Sequence, residues 1–286
     1  MSYSPGDYFA EAERKMIELL PDGSSQKYDD AAALFQKAGN AFSKVRNYSR
    51  AGESFRRAVD CMLHASKNEQ AAAFAAESGR NYIKASDGEE KSFESFNLAL
   101  QIYGDLKKTV LADKLTIEAA KLFEGAKKYD RAIHYHDLAS QSFKSQNKTQ
   151  DYLRERKAIS SLYITAKKWE EASKNYENIF IEMSHDGNEM NALEFGVRSI
   201  ACFLAIADTT SARSANERYS TQNRLWAESD ESKFVKQLIM TLVAMHLDEA
   251  HTNCTQFAEA HHYDFTFKKI VEGVTAKYKS LNEGNA

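Results

Sequence analysis

Proline is nearly absent from this chain. Pro5 and Pro21 are the only two among 286 residues, and none follows position 21. Proline is the strongest helix breaker, so a long stretch without it leaves helix open almost everywhere. Cysteine is equally scarce: Cys61, Cys202 and Cys254 stand far apart, with no Cys-x-x-Cys pair. That spacing excludes a disulfide framework and a cysteine zinc site. The twelve glycines are scattered singly, so no glycine-rich phosphate loop exists. No apolar run reaches the roughly 18 residues that span a bilayer, and no charged-then-apolar leader opens the chain. A net charge of -3 gives no global attraction to nucleic acid. These absences predict a cytoplasmic protein without cofactor or metal.

What the chain does have is a repeat. Four segments start on an aromatic residue with alanine three positions later: Tyr28–Ala31, Tyr48–Ala51, Tyr129–Ala132 and Trp169–Ala172. A second ladder runs Phe42, Met62, Tyr82, Tyr103, Phe123, Phe143, Tyr163, Met183, Phe203, in steps of twenty or twenty-one. Four residues before each stands a small or β-branched residue: Ala38, Ala58, Ser78, Ala99, Ala119, Ala139, Ile159, Ile179, Ser199. A spacing of four places both members on one helix face. Each block therefore reads as one helix of about fifteen residues and a short turn. Such a helix cannot bury its face alone, so neighbours stack. The predicted fold is all-α, a right-handed, tetratricopeptide-like α-solenoid of antiparallel helix pairs with about fourteen helices. Turns are expected at Ser86–Gly88, Gly104–Asp105, Gly125 and His185–Gly187.

Both ends depart from the frame. Ser4-Pro5 is a helix cap with proline at the first helical position, and the helix it opens is expected to stop before Pro21-Asp22-Gly23. After Phe203 the repeat fades. Residues 229–246 and 262–280 read as amphipathic helices around a shorter one near 248–258. The expected division is a solenoid over 1–220 and a C-terminal helical bundle over 221–286.

Catalytic constellations are missing. His134 and His136 are two apart on a helix and face different sides, and His261-His262 has no partner cluster. Cys61 and Cys202 each precede a ladder residue by one and read as packing groups. The acidic pairs Glu89-Glu90 and Glu170-Glu171 fall at helix starts, where they favour the positive end of the dipole. The chain reads as a binding protein rather than an enzyme.

Several motifs carry a family resemblance: Ala10-Glu11-Ala12-Glu13-Arg14-Lys15-Met16, Asn47-Tyr48-Ser49 before Ala51-Gly52, Ile102-Tyr103-Gly104-Asp105, and Tyr129-Asp130-Arg131-Ala132-Ile133-His134-Tyr135. In order and spacing the chain resembles the soluble NSF attachment proteins (SNAPs), nearer the alpha type than the gamma type, from residue 8 to about 280. The resemblance implies an adaptor for membrane fusion and vesicle-mediated protein transport. Its concave face would bind the assembled four-helix SNARE complex, and it would recruit the hexameric AAA ATPase NSF to take that complex apart. A generic helical-repeat scaffold that captures another protein or peptide is the alternative.

The same resemblance nominates residues. Family members grip the acidic SNARE bundle with basic side chains, whose positions fall here on Lys44, Arg46, Lys84, Lys107, Lys108, Lys114, Arg154 and Lys157. The 20–40-residue spacing would let successive layers present them in a row. The family's membrane-touching loop follows the first helix. Here that segment is shorter and lacks its paired phenylalanines, leaving Met16, Leu19 and Leu20 as candidates for weak peripheral membrane contact, with packing of the helix end favoured. The family's acidic tail with a near-terminal leucine is reduced to Glu283 and Leu281. Asp230, Glu231, Asp248, Glu249 and Leu281 are the candidates for contact with the ATPase.

Overall fold

The computed structural model describes residues 4–18 and 26–284. Among them are fourteen α-helices, one 3-10 turn and no strand. They run α1 (Pro5–Ile17), α2 (Gln26–Lys44), α3 (Tyr48–His64), α4 (Asn68–Tyr82), α5 (Glu89–Asp105), α6 (Thr109–Gly125), α7 (Tyr129–Ser145), α8 (Thr149–Thr165), α9 (Trp169–His185), α10 (Glu189–Leu204) and α11 (Thr209–Gln222). The 3-10 turn Trp226–Glu228 precedes α12 (Asp230–Val243), α13 (Leu247–Ala260) and α14 (Phe265–Gly284). The all-helical, tetratricopeptide-like hairpin fold is the one that the repeat predicts. Two compact units divide the chain, Met1–Ser142 and Phe143–Ala286.

The first helix starts as its sequence requires. Ser4 Oγ accepts from the Asp7 N–H, the Asp7 carboxylate accepts from the Ser4 N–H, and Pro5 takes the first helical position. That is a reciprocal capping box.

In the first unit four of the ladder residues, Phe42, Met62, Tyr103 and Phe123, also close their helices. Arg46, Ser66, Lys107 and Lys127 adopt left-handed backbone, with φ of 59°, 57°, 55° and 59°. The N–H that follows each donates back to the ladder carbonyl: Asn47 to Phe42, Lys67 to Met62, Lys108 to Tyr103 and Lys128 to Phe123, at 2.8–2.9 Å. This six-to-one bond satisfies a carbonyl that the helix end leaves orphaned. The donor residue then leads straight into the next helix, so only three residues separate α5 from α6 and α6 from α7. Gly104 and Gly125, expected at turns, lie instead inside the last turns of α5 and α6. Lysine fills the left-handed position two or three residues later, at a cost of about 1 kcal/mol. The connection from α4 to α5 is longer, and there Gly88 is required: a Cβ would stand 1.9 Å from the Tyr82 carbonyl oxygen.

Elsewhere in the first unit glycine sits in helix interiors, where rings lie against backbone. A Cβ on Gly39 would meet the Phe55 ring at 2.8 Å, on Gly52 the Tyr82 ring at 2.7 Å, and on Gly79 the Phe96 ring at 2.9 Å. At the last two a serine four residues before the ring completes the grip: Ser78 Oγ donates to the Gly52 carbonyl and Ser92 Oγ to the Gly79 carbonyl, both at 2.9 Å. Every small-ladder residue is buried, whereas Phe42, Tyr163 and Phe203 of the large ladder are half-buried.

The second unit repeats the left-handed closure at Asn147, Lys167, Gly187 and Ala207, then changes character. Ser173, Ser199 and Tyr219 share buried hydroxyl bonds, and Asn216 accepts from the Trp226 indole at 2.9 Å. Trp226 packs edge-on to Phe180 and Tyr219. Arg198 on α10 is only 4% exposed. Its guanidinium reaches Asp264 at 2.9 Å and Glu194 at 3.8 Å and lies 5.2 Å from the Tyr263 ring centre.

Candidate protein-binding surface

Within the first unit α1 to α6 pack in succession through short turns, and α7 lays Tyr135 against Phe123 of α6, so helix directions alternate and so do the edges on which turns fall. Partners across a hairpin pair lie 37–41 residues apart. In the first unit one edge carries the α2–α3, α4–α5 and α6–α7 turns. Its cross-turn contacts are Lys84 over the Tyr48 ring (5.6 Å), Lys128 with Glu89 (2.6 Å) and Arg131 with Glu90 (2.5 Å). The opposite edge carries the start of α2 and the α3–α4 and α5–α6 turns. There Lys67 pairs with Asp29 (2.6 Å) and Lys108 with Glu69 (3.5 Å).

This alternation sorts the nominated cations. Lys44, Arg46 and Lys84 share the first edge, while Lys107 and Lys108 lie on the opposite one. Lys114 stands apart on α6, lining a groove of about 470 Å3 with Phe74, Arg80, Tyr103 and Glu118. All six are exposed. Lys108 has Glu69; among the described residues no carboxylate lies within ion-pair distance of Lys44, Arg46, Lys107 or Lys114. In the second unit Arg154 and Lys157 are on α8 and both are engaged. Arg154 pairs with Asp151 at 2.6 Å and Glu155 at 3.3 Å. Lys157 pairs with Glu194 at 3.1 Å and lies 4.9 Å from the Phe195 ring centre.

The acidic candidates of the second unit also differ among themselves. Asp230 and Glu231 open α12, and Asp248 and Glu249 open α13, where negative charge suits the helix N-terminus. Asp230 pairs with Lys233 and Glu249 with His246. Glu231 is turned inward: its side chain is 14% exposed, it faces His261 at 3.5 Å, and it lines a groove of about 460 Å3 floored by Met183 and Phe195. Leu281 is exposed on α14. Of the loop candidates, Met16 is half-buried in the last turn of α1 beside Ile17, which is 79% exposed. Leu19 and Leu20 lie outside the described residues. No described helix is long and apolar enough to cross a membrane.

The cysteines are packing groups. All three are buried, and burial pushes the Cys61 thiol up to about 11 and that of Cys254 to about 12, far from a reactive thiolate. His134 packs edge-on to Phe93 and His261 stacks on Phe257.

Helical hairpins in a forty-residue register, with uncompensated cations at their turns, define a helical-repeat protein with charged surfaces. The sequence model of the family described as Soluble NSF attachment protein, SNAP, matches residues 4–272. The chain belongs to that family. It is 24% identical over 237 residues to the alpha-soluble NSF attachment protein of Vitis vinifera, covering 81% of this chain and 79% of that one. The human alpha protein is 22% identical over 237 residues (80% and 79%). That of Saccharomyces cerevisiae is 23% identical over 273 (88% and 89%).

Proposed function

We propose that this chain is an alpha-type adaptor, not an enzyme, that holds an assembled SNARE four-helix complex and recruits an NSF-type ATPase to disassemble it. The family match across residues 4–272 carries this reading, and the relatives named alpha-soluble NSF attachment protein favour the alpha type. The SNARE-facing residues are the free cations Lys44, Arg46, Lys107 and Lys114, supported by Lys84 and Lys108. Arg154 and Lys157 contribute only by exchanging their own carboxylates for the partner's. Within the acidic set, Asp248 is the best placed for an ATPase contact, Asp230 and Glu249 follow, and Glu231 is spent inside. Residues 221–286 would act as the recruiting bundle, and the end of α1, through Met16 and the loop after it, as a weak peripheral contact with the cytoplasmic face of a membrane.

The test is reconstituted disassembly of a SNARE complex by NSF and ATP, with and without this chain. The expected result is disassembly that depends on the chain and declines with salt. Reversing Lys108 and Lys114 together should reduce capture about tenfold, since each exposed pair is worth about 0.2–1 kcal/mol. Capture of a free peptide by one or two hairpins, with no preference for the assembled complex, would replace this reading with a peptide scaffold.

A further inference from the structure

Helix α6 carries an outward stripe that the nominated cations only touch. Val110, Lys114, Ile117 and Lys121 recur at spacings of four, three and four, which is one helix face. Val110 is 65% exposed, Lys114 and Lys121 are exposed, and Ile117 is half-buried. The two lysines are two turns apart, about 10.5 Å along the axis. Glu118, four residues after Lys114 and three before Lys121, is the natural intrahelical partner of both.

Glu118 is not available to them. Arg80 on α4 takes both of its oxygens, Nε to Oε1 at 2.6 Å and Nη2 to Oε2 at 2.7 Å, and its Nη1 also holds Glu77 at 2.8 Å. The hydrogen bonds from Arg80 hold the Glu118 carboxyl below its ordinary range. Such a bidentate fork fixes the carboxylate in place. Among the described residues no carboxylate lies within ion-pair distance of Lys114 or Lys121. Beside the stripe lies the groove between α4 and α6, floored by Phe74, Tyr103 and Leu115.

We propose that the Val110–Lys114–Ile117–Lys121 stripe of α6 receives one acidic α-helix of a partner bundle, and that Arg80 keeps the stripe positive by holding Glu118 away from both lysines. The partner's carboxylates sit two turns apart, opposite the lysines, and an apolar side chain between them meets Ile117 and the edge of the groove. Lys121 is a specificity residue here, and Arg80 is a positioning residue that does not touch the partner. The inference rests on the binding of an acidic helical complex proposed above and adds the residues that select it.

The experiment measures equilibrium binding of a labelled SNARE four-helix complex, without membrane anchors, to the full chain. Circular dichroism confirms the helicity of each variant. Lys121→Glu is expected to weaken binding about five- to tenfold, as Lys114→Glu does. Arg80→Met frees Glu118 to neutralise the lysines and should weaken binding about threefold. Adding Glu118→Gln to Arg80→Met should restore it to within about twofold of wild type, a rescue that a merely structural Arg80 would not allow. If Lys114→Glu weakens capture and Lys121→Glu does not, the stripe is wrong while the adaptor reading stands. Absence of rescue by Glu118→Gln would overturn the role of Arg80. Binding of wild type to phosphatidylserine vesicles, lost in Lys121→Glu while capture of the complex is unchanged, would assign the stripe to lipid and overturn it. No capture by wild type removes both the stripe and the adaptor reading.

Discussion

The two units differ in what they bury beside their serines. In the first, buried serines donate to backbone carbonyls nearby: Ser54 to Arg50, Ser78 to Gly52, Ser92 to Gly79 and Ser95 to Lys91. Each bond is short-range or joins neighbouring helices, and each is one of several. The second keeps such bonds, as from Ser173 to the Ser199 carbonyl, but adds a buried guanidinium from α10 that reaches Asp264, sixty-six residues away in sequence, just before α14. Local, repeated bonds spread stability over many positions, whereas a buried charge concentrates it in one pair.

The largest effect should come from stranding that charge. Asp264→Ala leaves Arg198 buried with Glu194, at 3.8 Å, as its one remaining carboxylate among the described residues, and calorimetry should show a loss of about 3 kcal/mol. Arg198→Met fills similar space and removes the charge itself, so it should cost less, and the double variant should recover part of the loss of Asp264→Ala. Equal costs for Asp264→Ala and a first-unit surface variant such as Lys128→Ala would break the comparison.

Next in size is overpacking in the first unit. Gly52→Ala puts a methyl group 2.7 Å from the Tyr82 ring and should cost about 1–3 kcal/mol in urea unfolding. An unaffected midpoint would mean that the glycine seam has slack.

Acid should sharpen the contrast further. Burial pushes the Asp264 carboxyl up, but the Arg198 guanidinium prevails and holds it below the ordinary 3.8. The stabilisation it adds is therefore complete above the unfolded value and is lost as the pH falls through the folded one. Below about pH 4 the second unit should lose stability in a way that Asp264→Asn removes, read by fluorescence of the buried Trp226.

The smallest effect has the opposite sign. Lys127→Gly relieves a left-handed lysine (φ 59°) and should raise stability by about 0.5–1 kcal/mol. A loss instead would show that the lysine side chain holds the turn.

Much of the fold is legible in the residues, for a physical reason. Close approach of helices needs small side chains at fixed positions, so the small ladder Ala38 to Ser199 reports packing faithfully. The large ladder is looser because a ring at a helix end covers the seam without always being enclosed, as Tyr163 shows. The turns mislead because the six-to-one bond can enforce left-handed backbone on lysine as well as glycine. The candidate surface was legible only as a set of cations. Twenty residues fix which helix carries Lys84 or Lys107, but the edge depends on whether that helix is odd or even, so a twenty-residue step reverses it and a forty-residue step repeats it. Lys121 was readable seven positions after Lys114; the capture of Glu118 by Arg80, across two helices, was not.

The three-residue turns leave almost no spare chain, and that has a genealogical consequence. Loss or duplication of a single block would carry every later turn of that unit to the opposite edge, so that losing α4 would bring Lys107 and Lys108 round to the edge of Lys44 and Arg46. Only changes by pairs of blocks preserve the sidedness. The heritable module of this architecture is thus the hairpin, and its length can drift only in multiples of about forty residues.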